Sequence, residues 1–254
     1  MGIRLYIGLF LLKLSYYLRR LFVVVLTPRD LIENNKLQYK RKCVINRFTS
    51  LDFNLTDEEK AILENHIKKP GKFLVLGCGG GRESIALARL GFEVTGVDFV
   101  QEMINCAQQN ASQANLSLSF EAADITKLRF PDASFDYASL LYGIYGTIAS
   151  RNLRITFLKQ IKLILKPGGF FIFNFFIKNN PNSSYRSKAL KALGFITLGN
   201  MNYQPGDELS DTDEFIHFFR DEEELRQEIK DSGLGLEEIV AGGNPALYYA
   251  VVKS

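Results

Sequence analysis

Cysteine is scarce in this chain, and its placement suits neither disulfides nor zinc. Cys43, Cys78 and Cys106 are odd in number, far apart and free of any CxxC pair. With only two histidines, His66 and His217, they make no zinc-ligand spacing. A reducing, cytoplasmic compartment and no metal are expected. Cys78 lies inside a glycine cluster, where a small side chain that tolerates burial suffices. Charge of one sign is also sparse. The net charge of +3 comes with no polybasic block, so nothing calls for nucleic acid. The N-terminal segment lacks a membrane span, because its longest uncharged run, Leu5 to Leu12, is far short of the roughly 18–20 residues required. No small-x-small cleavage pattern follows that run. Tyr6 stands where a myristoylation signal requires Ser or Thr.

What is present describes a globular protein. The 254 residues suffice for one large domain, and 46% hydrophobic with 23% charged content is ordinary for a packed core and a solvated surface. Residues 1–26 are apolar but carry Arg4, Lys13, Arg19 and Arg20. Wound as a helix, these cations share one half of the circumference with Leu5, Leu9 and Leu12, an imperfect amphipathicity. Two readings stay open. The favoured one packs the helix on the domain or on a second copy, and the other lays it in a membrane interface as a peripheral contact.

Residues 27–54 read as a polar connector or lid-like segment. Residues 55–69 read as a helix capped by Thr56 with Glu59 three residues on, and stopped by Pro70-Gly71. Strands at 72–76, 92–97, 116–121, 135–142 and 170–176 then alternate with helices at 83–90, 100–109 and 152–165. That order builds a parallel sheet with helices on both faces, an α/β doubly wound architecture. Residues 178–214 interrupt it with polar sequence and one short helical stretch, 185–193. A helix at 221–232 and strands at 236–240 and 247–252 complete the pattern. The expected organisation is an N-terminal extension, 1–54, and one domain, 55–254, whose insertion at 178–214 covers the open end of the sheet.

Between the first strand and helix stands "FLVLGCGGGRES" (73–84). Glycines at a strand-to-helix turn bare the backbone N–H groups at the helix's positive end and let a ligand approach closely. Gly77 and Gly79 fit the dinucleotide pattern GxGxxG, but Arg82 occupies its third glycine, and no Gly-Lys-Ser/Thr follows for a P-loop. Asp98, 21 residues after Gly77, ends the second strand, where an acid can accept from both hydroxyls of a ribose. Loop and acid together indicate a nucleoside.

Four stretches carry a resemblance: "VLGCGGG" (75–81), "VTGVDFVQEMINCA" (94–107), "EAADITKLRFPDASFDYA" (121–138) and "LKPGGFFIF" (165–173). Residues 72–176 resemble a class I S-adenosylmethionine-dependent methyltransferase of the small-molecule type. The resemblance implies a Rossmann-like seven-stranded sheet in the order 3-2-1-4-5-7-6, with the seventh strand antiparallel. It implies that the loop Gly77, Cys78, Gly79 to Gly81 lies against the methionine part of S-adenosylmethionine. Asp98 then holds the ribose, Phe99 and Met103 flank the adenine, and Asp124 with the Ile125 backbone reads the adenine edge. Leu141 and Tyr142 border the methyl-transfer site. Two departures stand out. Many relatives carry an acid two places before the first glycine, near the cofactor's amino group, and here that position is Val75. The fourth strand ends in "LYGIYGT" (141–147) without the Asn, Glu or His often found there.

A sulfonium is an activated methyl donor, so transfer rests on geometry and water exclusion, and a base is needed only for a protonated acceptor. Tyr142, Tyr145 and His217 are the candidate catalytic groups; each also has a structural reading, as pocket wall or as satisfied core residue. Arg82 reads either as a ligand for an anionic acceptor or for the cofactor carboxylate, or as a solvated helix-start arginine. The expected function is methyl transfer to a small-molecule or lipid-like acceptor, leaving S-adenosylhomocysteine. A non-catalytic S-adenosylmethionine-binding protein and an NAD-dependent oxidoreductase are the alternatives, the latter opposed by Arg82.

Overall fold

The computed structural model describes residues 3–41, 53–178 and 184–254. Cys43, residues 42–52 of the expected connector and the Arg4 side chain lie outside the described residues. Two helices open the chain, α1 (Ile3–Val25) and α2 (Pro28–Tyr39), followed by α3 (Asp57–His66). The alternating part runs β1 (Lys72–Leu76), α4 (Arg82–Arg89), β2 (Glu93–Asp98), α5 (Gln101–Gln113), β3 (Ser119–Ala122) and β4 (Phe135–Leu140). The short α6 (Ile144–Thr147), then α7 (Arg151–Ile164) and β5 (Leu165–Phe176) follow. The last third holds α8 (Ser184–Ile196), β6 (Asp207–Leu209), β7 (Phe215–His217), α9 (Glu222–Ser232), β8 (Gly235–Ala241) and β9 (Leu247–Lys253).

Seven strands form one sheet in the order β3-β2-β1-β4-β5-β9-β8, and β6 pairs with β7 in a separate hairpin. The first five strands are parallel, while β9 is antiparallel to both β5 and β8. This is the expected Rossmann-like order, with β9 as the seventh core strand. Pleating sends alternate residues of β5 to opposite faces. Phe171, Phe173 and Phe175 pack against Leu158 and Ile161 of α7 and Leu225 and Ile229 of α9. Ile172 faces the other way, with Val75 of β1, Ile62 of α3 and Leu87 of α4. Each such phenylalanine contributes about 1.5–3 kcal/mol by leaving water, so the run "FFIFNFF" joins both helical layers to the sheet.

A third, smaller cluster attaches the N-terminal helices. Val23 and Val24 at the end of α1 are fully buried with Leu31 of α2, Ala149, Tyr203 and Phe215. The 27–39 stretch, read from sequence as a connector, is helical because Thr27 and Asp30 form a capping box and Pro28 opens the first turn. The Asn35 side chain clamps α2 to β7, accepting from the Phe215 N–H at 2.6 Å and donating to its carbonyl at 2.9 Å. Earlier residues of α1 are mostly exposed, Phe10 at 64% and Leu12 at 70%. Among the described residues no helix is long and apolar enough to cross a membrane.

One buried ion pair ties α7 to α9. Arg154 and Glu228 are both inaccessible, and Arg154 Nη2 donates to Glu228 Oε1 at 2.7 Å and to Gln204 at 2.9 Å. Tyr145 donates its hydroxyl to the same carboxylate at 2.8 Å. Removing one partner strands the other charge in a dry interior. Glu228→Ala should therefore cost about 3–5 kcal/mol in urea denaturation, whereas Glu228→Ala combined with Arg154→Met should recover much of that loss.

Candidate active site

The glycine loop is shaped by backbone that only glycine adopts freely. Gly77 has φ +66° and Gly79 φ +51°, and a Cβ on Gly77 would run into Ile144. The Cys78 N–H donates to the Val97 carbonyl at 2.9 Å, and the Gly79 N–H donates to Asp98 Oδ2 at 3.0 Å. Asp98 Oδ1 accepts from the Val100 N–H at 2.9 Å. Burial raises the Asp98 pKa, and these backbone donors oppose the rise without cancelling it. Each carboxylate oxygen retains a lone pair for a further donor.

Around this turn lies a crevice at the carboxyl ends of β1, β2 and β4. Gly77, Cys78, Gly79, Arg82 and Asp98 line one side, Phe99, Met103, Asp124 and Ile125 the next, and Tyr142 a third. The structure thus gathers most of the residues named from sequence. Asp124 caps a single 3-10 turn, accepting from Thr126 N and Oγ1 with Oδ1, while Oδ2 lies 3.1 Å from Lys36 Nζ. Burial raises its pKa, but Thr126 and Lys36 outweigh that and hold it below the ordinary value.

Four named residues lie outside the lining. Gly81 caps α4, with a Cβ position 3.2 Å from Ala107, and so sets the packing of α4 on α5. Leu141 points into the core beside Val75. Tyr145 is fully buried on Glu228, and burial followed by that carboxylate raises its pKa well above the usual phenol value. His217 is also inaccessible, with Nδ1 2.7 Å from Asp207 and Nε2 at ion-pair distance, 3.5 Å, from Glu224. Burial and Arg154 lower its pKa, yet Asp207 and Glu224 raise it overall. Neither Tyr145 nor His217 reaches a ligand in the crevice, which corrects their reading as catalytic candidates and leaves Tyr142.

Arg82 is buried rather than solvated, and its two terminal nitrogens are engaged by the protein. It donates to both Glu59 oxygens at 2.9 and 2.8 Å and to the Asn54 carbonyl at 2.7 Å, with its guanidinium 5.2 Å from the Tyr142 ring centre. This fixes the start of α4 against α3. Tyr142 sits at φ +59°, a left-handed conformation unusual outside glycine, and this turns its ring over the crevice, where it is 45% exposed.

The sequence did not reveal the roof. Ile32, Asn35, Lys36 and Tyr39 of α2 line the crevice, whereas no described residue of 178–214 does. Tyr39 meets Phe99 edge-to-face at 5.8 Å. The Thr27–Asp30 capping box was the available sign of α2. Glu83, Thr126, Ile144, Thr147 and Ile148 also join the lining. Among the described residues no cluster of His, Cys, Asp and Glu could hold a metal ion.

A glycine turn after β1, an acid at the β2 tip and a crevice at the strand ends define a nucleoside-binding α/β domain. Residues 73–169 match a family model described as a methyltransferase domain. The chain is similar to a demethylmenaquinone methyltransferase of Deinococcus radiodurans, 32% identical over 128 residues, which are 50% of this chain and 52% of that protein. The chain spans about half the length of the curated relatives it matches. Among solved structures, an S-adenosylmethionine-dependent methyltransferase of Methanosarcina mazei has a TM-score of 0.60 at 24% identity, covering 80% of this chain and 99% of that one. The 1,6-didemethyltoxoflavin-N1-methyltransferase of Burkholderia thailandensis, with S-adenosylhomocysteine bound, has a TM-score of 0.59 at 17% identity, covering 89% and 86%. The two structural likenesses speak for the fold. Residues 73–169 thus match a methyltransferase domain and lie in a fold shared with S-adenosylmethionine-dependent methyltransferases.

Glu83 gives the site a pH signature. Burial and the nearby Glu59 charge raise its carboxyl from 4.5 to about 7, although Ser139 and Arg82 pull the other way. Between these values the folded chain keeps a proton that the unfolded chain releases, so this contribution to stability is complete below 4.5 and is lost as pH rises through 7. Glu83→Gln should abolish that decline. In paired urea titrations at pH 5 and pH 8, the variant should gain on the order of 1–3 kcal/mol over wild type at the higher pH.

Proposed function

We propose that the chain transfers a methyl group from S-adenosylmethionine to a small, apolar or lipid-like acceptor. The crevice carries this reading: bare loop amides for an amino-acid tail, the Asp98 carboxylate for ribose hydroxyls, and Phe99, Met103 and Ile125 as an apolar slot for a purine. Asp124 and Lys36 stand at the rim of that slot, polar partners for a purine edge. The donor supplies an activated methyl on a sulfonium, which a nucleophile takes by in-line displacement. The residues have to orient the two reactants and keep water out. Ile32 and Tyr39 close the crevice from above, and Tyr142 walls the side toward an acceptor. The family match and the relative named a demethylmenaquinone methyltransferase support a small-molecule acceptor.

Calorimetry tests the reading. S-adenosylhomocysteine should bind and NAD should not; binding of NAD alone would favour an oxidoreductase. Asp98→Ala should lose about 1–3 kcal/mol of S-adenosylhomocysteine affinity, because ribose hydroxyls would be left without their acceptor. Binding without label transfer from a methyl-labelled donor to any metabolite extract would favour a non-catalytic binding protein.

The exposed helix α1 supports a membrane-interface contact. Ile7, Leu9, Phe10, Leu11 and Leu12 are each about half exposed or more, and they surround the helix rather than forming one face. No acidic residue precedes Asp30, and Lys13 is exposed. The patch continues across the end of α8, where Phe195, Ile196 and Leu198 are exposed and Asn200 N donates to the Val24 carbonyl at 2.8 Å. Apolar surface on every side of a basic helix suits lipid better than a single partner face. Wild type should float with phosphatidylglycerol-containing vesicles, and Leu9→Asp combined with Leu12→Asp should leave the protein in the dense fraction. A wild type that stays down and scatters light as a dimer would assign the patch to a second copy.

A further inference from the structure

We infer that Glu83 is the anion that holds the α-amino group of the S-adenosylmethionine tail, replacing the strand acid this chain lacks. The inference rests on the proposed cofactor and concerns how this chain anchors it. At the end of β1 stands Val75, a fully buried aliphatic side chain that accepts nothing. An ammonium lying along the glycine loop still needs an anionic acceptor, because the crevice removes the water that would otherwise solvate it.

The carboxylates facing the crevice differ in what they already hold. Asp98 accepts from Gly79 and Val100 with its two oxygens at the tip of β2. Asp124 is committed to Thr126 and Lys36. Glu59, behind the lining, is taken by both arms of Arg82. Glu83 accepts at Oε1 from the Ser139 hydroxyl at 2.5 Å. It is a buried carboxylate on the crevice wall that forms no ion pair with any described residue, since the neighbouring Arg82 is paired with Glu59.

Its position also fits the task. Ser139 on β4 is the register partner of Val75 on β1. By reaching Ser139, Glu83 brings its carboxylate back from the first turn of α4 to the neighbourhood of the Val75 side chain. An acid carried by the helix thus serves the spot that a strand acid would serve. Arg82, locked to Glu59, keeps that turn of α4 in place, and the N-terminal end of the helix favours a negative charge. The raised pKa of the ligand-free carboxyl agrees with a group waiting for a cation.

The test compares two ligands by calorimetry at pH 8. S-adenosylhomocysteine carries the amino-acid tail, and 5′-methylthioadenosine lacks it. Glu83→Gln should weaken S-adenosylhomocysteine roughly 10- to 100-fold and leave 5′-methylthioadenosine unchanged, with thermal melting confirming the fold. Wild-type affinity for S-adenosylhomocysteine should also rise between pH 6 and pH 8 as Glu83 ionises, and the variant should show no such rise. Equal weakening of both ligands would make Glu83 a structural residue and overturn the inference, as would unchanged S-adenosylhomocysteine affinity. A wild type that binds neither ligand would instead overturn the methyltransferase reading itself, before any variant is compared.

Discussion

The site depends on one carboxylate that accepts two backbone N–H groups. Asp98 takes the Gly79 amide with one oxygen and the Val100 amide with the other, so a single side chain joins the turn after β1 to the turn after β2. The parallel register Val75 to Gly96 brings those tips level, and Gly96 leaves room for Phe120 and the Cys78 sulfur, which lie 2.7 and 3.1 Å from where a Cβ would stand. Without that clamp the bare amides of the loop would have no fixed direction. Buried hydrogen bonds to an ionised acceptor are among the stronger ones available, which is why a short glycine turn can hold its shape without a ligand.

Around the clamp, buried and half-buried charges are matched in pairs. Arg82 goes to Glu59, Lys36 to Asp124 and Arg154 to Glu228. Each pair joins elements far apart in sequence, and each balances a charge taken wholly or partly out of water. Two crevice carboxylates, Asp98 and Glu83, form no ion pair with any described residue. The proposed chemistry needs little else, since an activated methyl requires alignment and dryness more than proton transfer. Tyr142 supplies a wall at the cost of a strained backbone angle, the kind of local cost that functional sites retain.

Much of this was legible from residues in a row. The strand-turn-helix at 72–89 and the acid ending β2 have local signatures, and the β-forming run at 170–176 with its flanking helix predicted β5. The α2 helix was less visible because its polar surface hid the periodicity, although Thr27, Pro28 and Asp30 spelled out its start. The β6–β7 hairpin escaped because strands of three residues carry no usable alternation. Tyr145 was a candidate for its place just past the fourth strand, and His217 for its place just before the last long helix. Their side chains turn instead toward Glu228 and Asp207, a choice made by partners 83 and 10 residues away.

By itself the sequence determined what depends on near neighbours: the order of strands and helices, the glycine turn, the caps and the acid at the end of β2. These follow from backbone sterics, side-chain period and hydrogen bonds that span a few residues. Only the tertiary structure decided which charges neutralise each other, that α2 roofs the crevice, and that Glu83 reaches Ser139, the strand neighbour of Val75. Those outcomes depend on which distant groups share a dry interior, where a charge must find its partner through space.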